Sequence, residues 1–242
     1  MTPVGLQLYT LRKPFAEDPI GTLERIKAVG YDEVEFAAPL DMDFVPMAAR
    51  MKEIGLDCPS IHIGLGDLTG RPDHVLSVAK MFGCRFIVLP FVDPNDADWH
   101  AVVSQAQTFA KQAQGEGFRF CYHHHHFEFD NGRGFRPFDV LVGESDPDLL
   151  FFELDVFWLK TAGEDPKAMI EKLAGRVKLL HLKDYAADTK MTDVGSGTLD
   201  FPAMIAAGRA AGVEHMFVEH DFPPKPYWPS VEASVGYLKT LD

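Results

Sequence analysis

The sequence is poor in cysteine and in positive charge, and each shortage excludes a class of protein. Its three cysteines, Cys58, Cys84 and Cys121, fall inside predicted strands and form no CxxC pair. We therefore expect buried, reduced thiols rather than a disulfide framework or a zinc ribbon. Lys and Arg number 23 against 36 Asp and Glu, for a formal net charge of −13. Such a chain is unsuited to nucleic acid or anionic membrane, because both bind mainly through Lys and Arg.

Long apolar runs and flexible linkers are also missing. No stretch of about 18 apolar residues exists, so no membrane-spanning helix is predicted. The opening MTPVGLQLYTLRK leads directly into a predicted strand and lacks the two regions of a signal peptide. With the reduced cysteines, this predicts a cytoplasmic protein. No Pro-, Gly- or Ser-rich linker divides the 242 residues, 46% of which are apolar, and we expect one domain over residues 1–242.

A repeated pattern of helix, glycine and strand is what the sequence does contain. Glycine ends a helix in the left-handed conformation without steric cost. Six apolar helical stretches end in this way, at Gly30, Gly55, Gly83, Gly117, Gly175 and Gly212. We predict eight strands: Val4–Tyr9, Glu33–Phe36, Asp57–Ile63, Phe86–Pro90, Phe118–His123, Leu149–Asp155, Val177–Leu182 and His215–Glu219. Eight strands alternating with helices predict an α/β fold, a single closed (β/α)₈ TIM barrel.

The alternative fold is an open, doubly wound sheet. It is disfavoured because the first turn after a strand, LQLYTLRKPFAEDP, contains no GxGxxG motif. Helix starts are predicted at Asp18-Pro19 and Asp165-Pro166, where an N-cap residue precedes proline at the first helical position. The helix between the fifth and sixth strands is indicated only weakly.

Several of these apolar strands end on a residue able to do chemistry. Because the carboxyl ends of parallel barrel strands meet at one face, we expect these side chains to form one site. Glu153 and Asp155 share a face, and two such carboxylates are costly unless a cation offsets their charge. A divalent ion, Lys183 or loop amides would do so. The strand-end residues are Glu35, His62, His123, Asp155, His181 and Glu219.

The run Tyr122–Phe129, with four consecutive histidines, is the densest signal. Alternation along a strand puts His123 and His125 on one face and His124 and His126 on the other, so only one pair can point into the barrel. Imidazole serves as a metal ligand and as a proton carrier. A surface or supporting role is the alternative. Nitrogen and carboxylate donors without thiolates suit Mn²⁺, Mg²⁺, Co²⁺ or Zn²⁺, and spacing does not choose among them.

These residues resemble the sugar phosphate isomerase/epimerase family of the xylose isomerase-like TIM barrel superfamily. The resemblance implies the barrel and one divalent metal ion held by a Glu, an Asp, a His and a Glu. Asp155, His181 and Glu219 match three of these ligands. For the fourth, Glu128 is favoured over His123, which stands where relatives have a Glu. The matching segments include VGLQLYTLR, GYDEVEF, SIHIGL, YHHHHFEF (usually with Asn at His124), ELDVFWLKTAGEDP, GRVKLLHLKD, VGSGTLDFPAMI and FVEHD.

The resemblance also implies the roles of individual residues. The metal would polarise a keto sugar, and side chains would move a proton through an enediolate. The catalytic residues would be Glu219, His125 and Lys183. Those that contact substrate would be Glu35, His62, His123 and Trp158, with Phe36 as a further apolar wall.

The function expected from this resemblance is a metal-dependent isomerase or epimerase of carbohydrate metabolism, acting on a keto sugar or related polyol. A dehydratase of the inosose type is the alternative, since the same enediolate can lose a β-hydroxyl. A nuclease of the endonuclease IV type is disfavoured by the acidic charge and by Trp158, which stands where that branch has a second metal-binding His. A barrel that only binds sugar is the remaining alternative.

Two loops leave alternatives open. Val194–Asp200, VGSGTLD, is either a phosphate-binding loop or, as we favour, a tight turn before a helix. The proline-rich Phe222–Pro229 is a lid, an oligomer contact or a rigid surface loop. We expect a small sugar or polyol as the partner and leave a homo-oligomer open.

Overall fold

A computed structural model describes residues 4–95, 97–130, 132 and 134–241. Eight parallel strands close into a barrel, and two short antiparallel strands form a hairpin beside it. The closed barrel is therefore confirmed and the open sheet is wrong. The strands are β1 Val4–Gln7, β2 Glu33–Phe36, β3 Asp57–His62, β4 Phe86–Leu89, β5 Arg119–His123, β6 Leu150–Asp155, β7 Val177–Leu182, β8 Asp184–Tyr185, β9 Met191–Thr192 and β10 His215–Val218. Around the barrel the order is β1-β10-β7-β6-β5-β4-β3-β2, and β8 and β9 form the hairpin.

Helices connect the barrel strands. They are α1 Arg12–Glu17, α2 Pro19–Val29, α3 Val45–Ile54, α4 Leu65–Gly70, α5 Pro72–Phe82, α6 Trp99–Gly115, α7 Pro137–Glu144, α8 Val156–Thr161, α9 Pro166–Lys172, α10 Phe201–Ala211 and α11 Trp228–Leu238, with 3₁₀ turns at Leu8–Leu11, Phe127–Phe129 and Lys239–Leu241. The weakly indicated helix between the fifth and sixth strands is present as α7. No helix in the described part of the chain is both long and apolar enough to cross a bilayer.

Local sequence explains most of the boundaries. The Asp18 carboxylate accepts a hydrogen bond from the Gly21 amide at 2.9 Å, and Asp165 caps α9 through Ala168 at 3.0 Å. All six glycines of the repeated pattern have positive φ; that of Gly55, for example, is 65°. β1 stops two residues earlier than expected. The Gln7 side chain accepts from the Tyr9 amide at 3.1 Å and turns the chain into a 3₁₀ helix.

The core has two parts, which together position the site. The larger part lies between the strands and the surrounding helices. Inside the barrel, a small apolar cluster of Phe86, Val88, Cys121, Leu179 and Phe217 fills the lower layers. Above this cluster, the inward positions near the carboxyl ends of the strands carry polar side chains. The interior of the barrel is thus apolar in its lower layers and polar near the carboxyl ends of the strands, and this polar layer forms the floor of the site.

Candidate active site

The carboxyl ends of neighbouring strands bring acidic and imidazole side chains together. Asp155 stands beside His181 in the register of β6 and β7, and His123 stands beside Glu153 in that of β5 and β6. Glu219 follows β10 directly and its amide is bonded to Leu182 of β7 at 3.1 Å. The five ionisable side chains are at most 5% exposed. Charges buried to this extent require partners or a bound cation.

His181 occupies the centre of this group. Its Nε2 lies 2.6 Å from Glu35 Oε2 and 3.2 Å from Glu153 Oε2. Its Nδ1 faces the other way, 2.8 Å from Glu219 Oε2 and 3.9 Å from Asp155 Oδ2. Burial lowers the pKa of His181, but the surrounding carboxylates outweigh burial and raise it well above its usual range. The ring therefore has two carboxylates on its Nε2 side, of which Glu35 is the nearer, and two on its Nδ1 side.

Glu35 is the residue behind the ring. Gln7 Nε2 donates to one carboxylate oxygen at 2.6 Å, and Ser60 Oγ donates to the other at 2.5 Å. Burial raises the pKa of Glu35, but His62 and His181 lower it well below its usual range. An ionised carboxylate only accepts, so His181 Nε2 carries a proton. Release of the second proton, from Nδ1, would leave a lone pair directed towards Asp155 and Glu219 for a bound cation.

Lys183 supplies a fixed positive charge at the same end of the barrel. Its Nζ lies 2.7 Å from Glu219 Oε2, 2.9 Å from Asp155 Oδ2 and 3.0 Å from Asp221 Oδ1. Burial lowers the pKa of Lys183, but these three carboxylates raise it well above its usual range. In turn, burial raises the pKa of Glu219, and Lys183 and His181 more than reverse that shift. Both groups are therefore ionised at neutral pH.

Three buried atoms fit a divalent cation. His123 Nδ1, Asp155 Oδ2 and His181 Nδ1 lack a hydrogen-bond partner among the residues described. Ligand atoms of these three side chains lie within 4.8 Å of one another. Asp155 Oδ1 is already occupied, because it accepts from the amides of Phe157 and Trp158 at the start of α8. Asp155 Oδ2 and His181 Nδ1 lie close to charged groups of Lys183 and Glu219 without forming a hydrogen bond. Carboxylate and imidazole donors of this kind are the set that Mn²⁺, Zn²⁺ or a similar ion binds.

A second acidic and imidazole group shares His181 with the first. Its members are Glu35, His62, Glu153 and His181, again with ligand atoms within 4.8 Å. Here the atoms bond one another: His62 Nε2 lies 2.8 Å from Glu153 Oε2 and 3.0 Å from Glu35 Oε2. Burial lowers the pKa of His62, but the two glutamates raise it to about 9. The His62 imidazolium therefore offsets part of the negative charge of the two glutamates.

Glu128 lies apart from both groups. One carboxylate oxygen accepts from Tyr122 Oη at 2.8 Å and the other from the His125 amide at 2.8 Å. Tyr122 and His123 are consecutive in β5, so their side chains leave the strand on opposite sides, and Glu128 follows Tyr122. Burial raises the pKa of Glu128 to about 7. The structure brings His123, rather than Glu128, to Asp155 and His181.

A cavity of about 570 Å³ opens above this floor. Six of the residues singled out from the sequence line it: His62, His123, His125, Trp158, Lys183 and Glu219. His125 lies 5.5 Å from Trp158 between ring centres, and burial, helped by Lys183, lowers its pKa well below the usual range. Its ring is therefore neutral. Among the described histidines of the four-residue run, His123 and His125 face the cavity, as alternation predicts.

The two remaining residues expected at substrate lie elsewhere. Glu35 is fully buried behind His181. Phe36 leaves β2 on the opposite side and packs against Phe15, Phe44 and Phe82 outside the barrel. Sequence reasoning missed Tyr9, Phe91 and Asp221, which also line the cavity, whereas Phe222 reaches it from the proline-rich segment noted in the sequence. Asp221 had a signal, because it stands two residues after Glu219. Tyr9 lies in the 3₁₀ turn after β1 and Phe91 in a loop, where no periodicity marks them.

The loop Val194–Asp200 closes around a carboxylate of the chain itself. Asp184 accepts backbone hydrogen bonds from Gly195 at 3.0 Å, Gly197 at 2.8 Å and Leu199 at 3.2 Å. A Cβ on Gly197 would lie 2.3 Å from Asp184 Oδ1, so only glycine allows this approach. The amides that a phosphate would need are already used, which supports the tight turn.

Comparison of the chain with protein families identifies its relatives. Residues 23–240 match the model of the xylose isomerase-like TIM barrel family. The chain belongs to this family. No curated protein matches the chain significantly in sequence.

Solved structures share the fold at low sequence identity. A sugar phosphate isomerase/epimerase from Parabacteroides distasonis has a TM-score of 0.83 and 24% identity, covering 99% of this chain and 94% of that one. The 3-keto-D-glucoside 4-epimerase from E. coli has a TM-score of 0.77 and 18% identity, covering 99% and 100%. A probable 3-DHS dehydratase from Bacillus anthracis has a TM-score of 0.77 and 14% identity, covering 98% of each chain. At these identities the likeness establishes the fold alone.

Proposed function

We propose that this protein is a metal-dependent isomerase or epimerase that acts on a keto sugar or a related polyol. The observation that carries the proposal is the set of three buried ligand atoms without a hydrogen bond, on His123, Asp155 and His181, beneath a cavity lined by Glu219 and Lys183. The two structural relatives that act as sugar isomerases or epimerases support this choice.

The residues proposed to hold the ion are His123, Asp155, His181 and Glu219. Glu219 joins the three because its Oε2 lies 2.8 Å from His181 Nδ1. In this set His123, which ends β5 and faces the cavity, takes the place of Glu128, the fourth ligand expected from the family resemblance. A bound divalent ion would polarise a sugar carbonyl and offset the negative charge of an enediolate.

The side chains of this chain would perform the proton transfers. Glu219 removes the proton from the carbon next to the carbonyl. The C–H electron pair forms the C=C bond, and the carbonyl π pair moves onto oxygen to give the enediolate. The Lys183 ammonium offsets the new negative charge. His125, on the cavity wall, is the proposed second proton carrier. Return of the proton to the opposite face of the same carbon gives epimerisation, and return to the adjacent carbon gives isomerisation.

Binding of the sugar is assigned to the cavity walls. His62 and His123 reach it with polar ring atoms, and Trp158 offers a flat apolar face to C–H groups. Glu35 acts through His181 and does not contact the sugar. A cytoplasmic location and a homo-oligomer stay predictions.

A dehydratase is the second candidate, because an enediolate with a neighbouring hydroxyl can expel it as water. The probable 3-DHS dehydratase among the structural relatives favours this alternative over the others. The net charge of −13 disfavours a nuclease.

Solvent exchange separates these functions. The purified protein, loaded with Mn²⁺, is incubated in D₂O with a panel of keto sugars and inososes, and proton NMR follows the carbon next to the carbonyl. With the wild type we expect deuterium at that carbon and an epimer or isomer as product. With His181→Ala we expect neither exchange nor product, together with loss of bound metal and an unchanged far-UV circular dichroism spectrum. Loss of a hydroxyl from the substrate would indicate the dehydratase, and sugar binding without exchange would indicate a non-catalytic barrel. In a separate assay, cleavage of abasic DNA would indicate a nuclease.

A further inference from the structure

A second cavity, of about 640 Å³, lies beside the first. It is formed by three separate segments: helix α8, the β8–β9 hairpin and the loop that follows β10. Trp158 and Phe222 line both cavities, so the two spaces share a wall. The residues of the second cavity used below are Phe157, Trp158, Thr161, Met191, Thr192 and Phe222.

The second cavity joins apolar surfaces with hydroxyl groups. Aromatic rings from α8 and the loop provide flat faces, while Thr161 and Thr192 provide hydroxyls. This combination suits a ring that has both apolar faces and polar edges. The lining also includes the carboxylate of Asp193 and the imidazole of His220. Asp193 accepts from Ser230 Oγ and His220 Nδ1 accepts from the Phe222 amide, so both are engaged within the protein and are given no part in proton transfer.

The hairpin wall is held in a single shape. Asp184 pairs with Thr192 and Tyr185 with Met191, and the Ala186 amide donates to Lys190 at 2.8 Å. At its tip, Thr189 has a φ of 68°, a left-handed conformation that is strained for a β-branched residue. This conformation places Thr189 against the cavity. The hairpin is therefore a preformed wall.

Size indicates what this space is for. Cavities of roughly 300–1,000 Å³ hold drug-sized ligands, and each of the two cavities alone reaches that range. A single monosaccharide in the first would leave the second empty. We propose that the second cavity binds a ring-shaped substituent on the sugar, so that the substrate is a keto-glycoside rather than a free sugar. This inference rests on the function proposed for the first cavity.

The test compares three probes: the methyl, phenyl and glucosyl 3-keto-D-glucosides. For each, kcat/KM is measured from deuterium exchange of the carbon next to the carbonyl. We expect the wild type to prefer the phenyl or the glucosyl compound over the methyl compound by at least tenfold. The better of the two shows whether the ring is an aryl group or a second sugar. Equal values for all three probes would overturn the proposal.

Variants that fill the second cavity locate the effect. Thr161→Trp and Thr192→Trp place an indole in it from two different elements, and either should reduce the preference at least tenfold. Thr108→Trp on α6 is the matched control. Thr108 and Thr161 each donate from Oγ1 to the carbonyl four residues earlier at 2.9 Å, but Thr108 lies away from both cavities. An unchanged preference in both folded filling variants contradicts the proposal.

Two further measurements keep the inference separable from the proposed function. If no probe undergoes exchange, the proposed function fails; calorimetry of phenyl glucoside against methyl glucoside, with and without Thr161→Trp, still tests the cavity. Weaker phenyl glucoside binding in the variant supports the proposed role of the second cavity, and equal binding overturns it.

Size-exclusion chromatography tests whether a second copy of the chain occupies the second cavity. Dissociation of an oligomer by the filling variants, without a change in glycoside preference, would also overturn the proposal.

Discussion

Glu35 Oε2 lies 2.6 Å from His181 Nε2, and this contact determines which ring nitrogen faces the cavity. A carboxylate behind a metal-binding histidine fixes its tautomer and raises its basicity, and loss of such a partner typically lowers metal affinity about 10- to 100-fold. Glu35→Gln should therefore weaken Mn²⁺ binding by about that factor, measured by competition with a fluorescent chelator, with unchanged far-UV circular dichroism.

Glu33→Gln is the matched control for this experiment. Glu33 stands in the same strand and its carboxylate lies 2.8 Å from His215 Nδ1, but that pair is at the opposite end of the barrel from the cavity. The Glu33→Gln substitution should therefore leave the Mn²⁺ affinity unchanged. Equal losses in the two variants would show that Glu35 acts through stability alone.

The strand pattern explains how much of this site was predictable. Asp155, His181 and Glu219 end apolar strands, and the six glycines before strands all have positive φ. Closure of a parallel barrel then forces the strand ends together, whatever the loops do. Local patterning was sufficient for these features because each depends on one strand and its position in the ring.

Other features depend on contacts between distant segments. Glu128 lies in a 3₁₀ turn, and its place is decided by Tyr122, which alternation directs away from the cavity. Glu35 points inward as alternation predicts, yet its role behind His181 depends on β2 and β7 facing each other across the barrel. One partner of Lys183, Asp155, ends β6, and the other two lie in the segment after β10, so only their arrangement in the barrel brings all three to one ammonium group.

Lys183 provides the second prediction, because its ammonium is the cation shared by Asp155, Glu219 and Asp221. Lys183→Met leaves these buried carboxylates without it. Removal of one partner from a buried charge network costs about 3–5 kcal/mol. Urea unfolding in EDTA should show a loss of that order, and saturating Mn²⁺ should recover more stability in the variant than in the wild type.

Lys178→Met is the control for Lys183. Lys178 belongs to the same strand, and its Nζ lies 5.4 Å from the ring of Phe151 rather than among carboxylates. We expect little change in its unfolding in either condition. If Lys183→Met is as stable in EDTA as the wild type, the three carboxylates do not depend on Lys183 for their charge compensation.

Glu128 provides a prediction about pH. Burial raises its pKa from 4.5 to about 7 in the folded protein, so between these values the unfolded chain releases a proton that the folded one keeps. The stabilising contribution is complete below pH 4.5 and is lost as the pH rises through 7, for a total of about 3 kcal/mol. Glu128→Gln should remove this slope from urea unfolding measured between pH 4 and 8.

Glutamine suits this test because it can keep both contacts of the protonated acid, to Tyr122 Oη and to the His125 amide. The variant should therefore be more stable than the wild type at pH 8. Glu232→Gln, at an exposed glutamate 3.6 Å from Arg25, should leave the slope in place. A slope that persists in Glu128→Gln would assign the pH dependence to another group.

Asp184 provides the last prediction, because its carboxylate takes the place that an anion would occupy in the loop Val194–Asp200. Asp184→Ala removes the acceptor of the amides of Gly195, Gly197 and Leu199 and should cost about 3 kcal/mol or more in urea unfolding. Asp188→Ala, at an exposed aspartate that bonds Lys190, is the control and its stability should be nearly unchanged.

Inorganic phosphate should not shift the Tm of the wild type, since the Asp184 carboxylate already binds the loop amides. Asp184→Ala exposes these amides, so phosphate should raise the Tm of that variant. A wild type stabilised by phosphate, with the shift unaffected by Asp184→Ala, would place an anion site elsewhere in the chain.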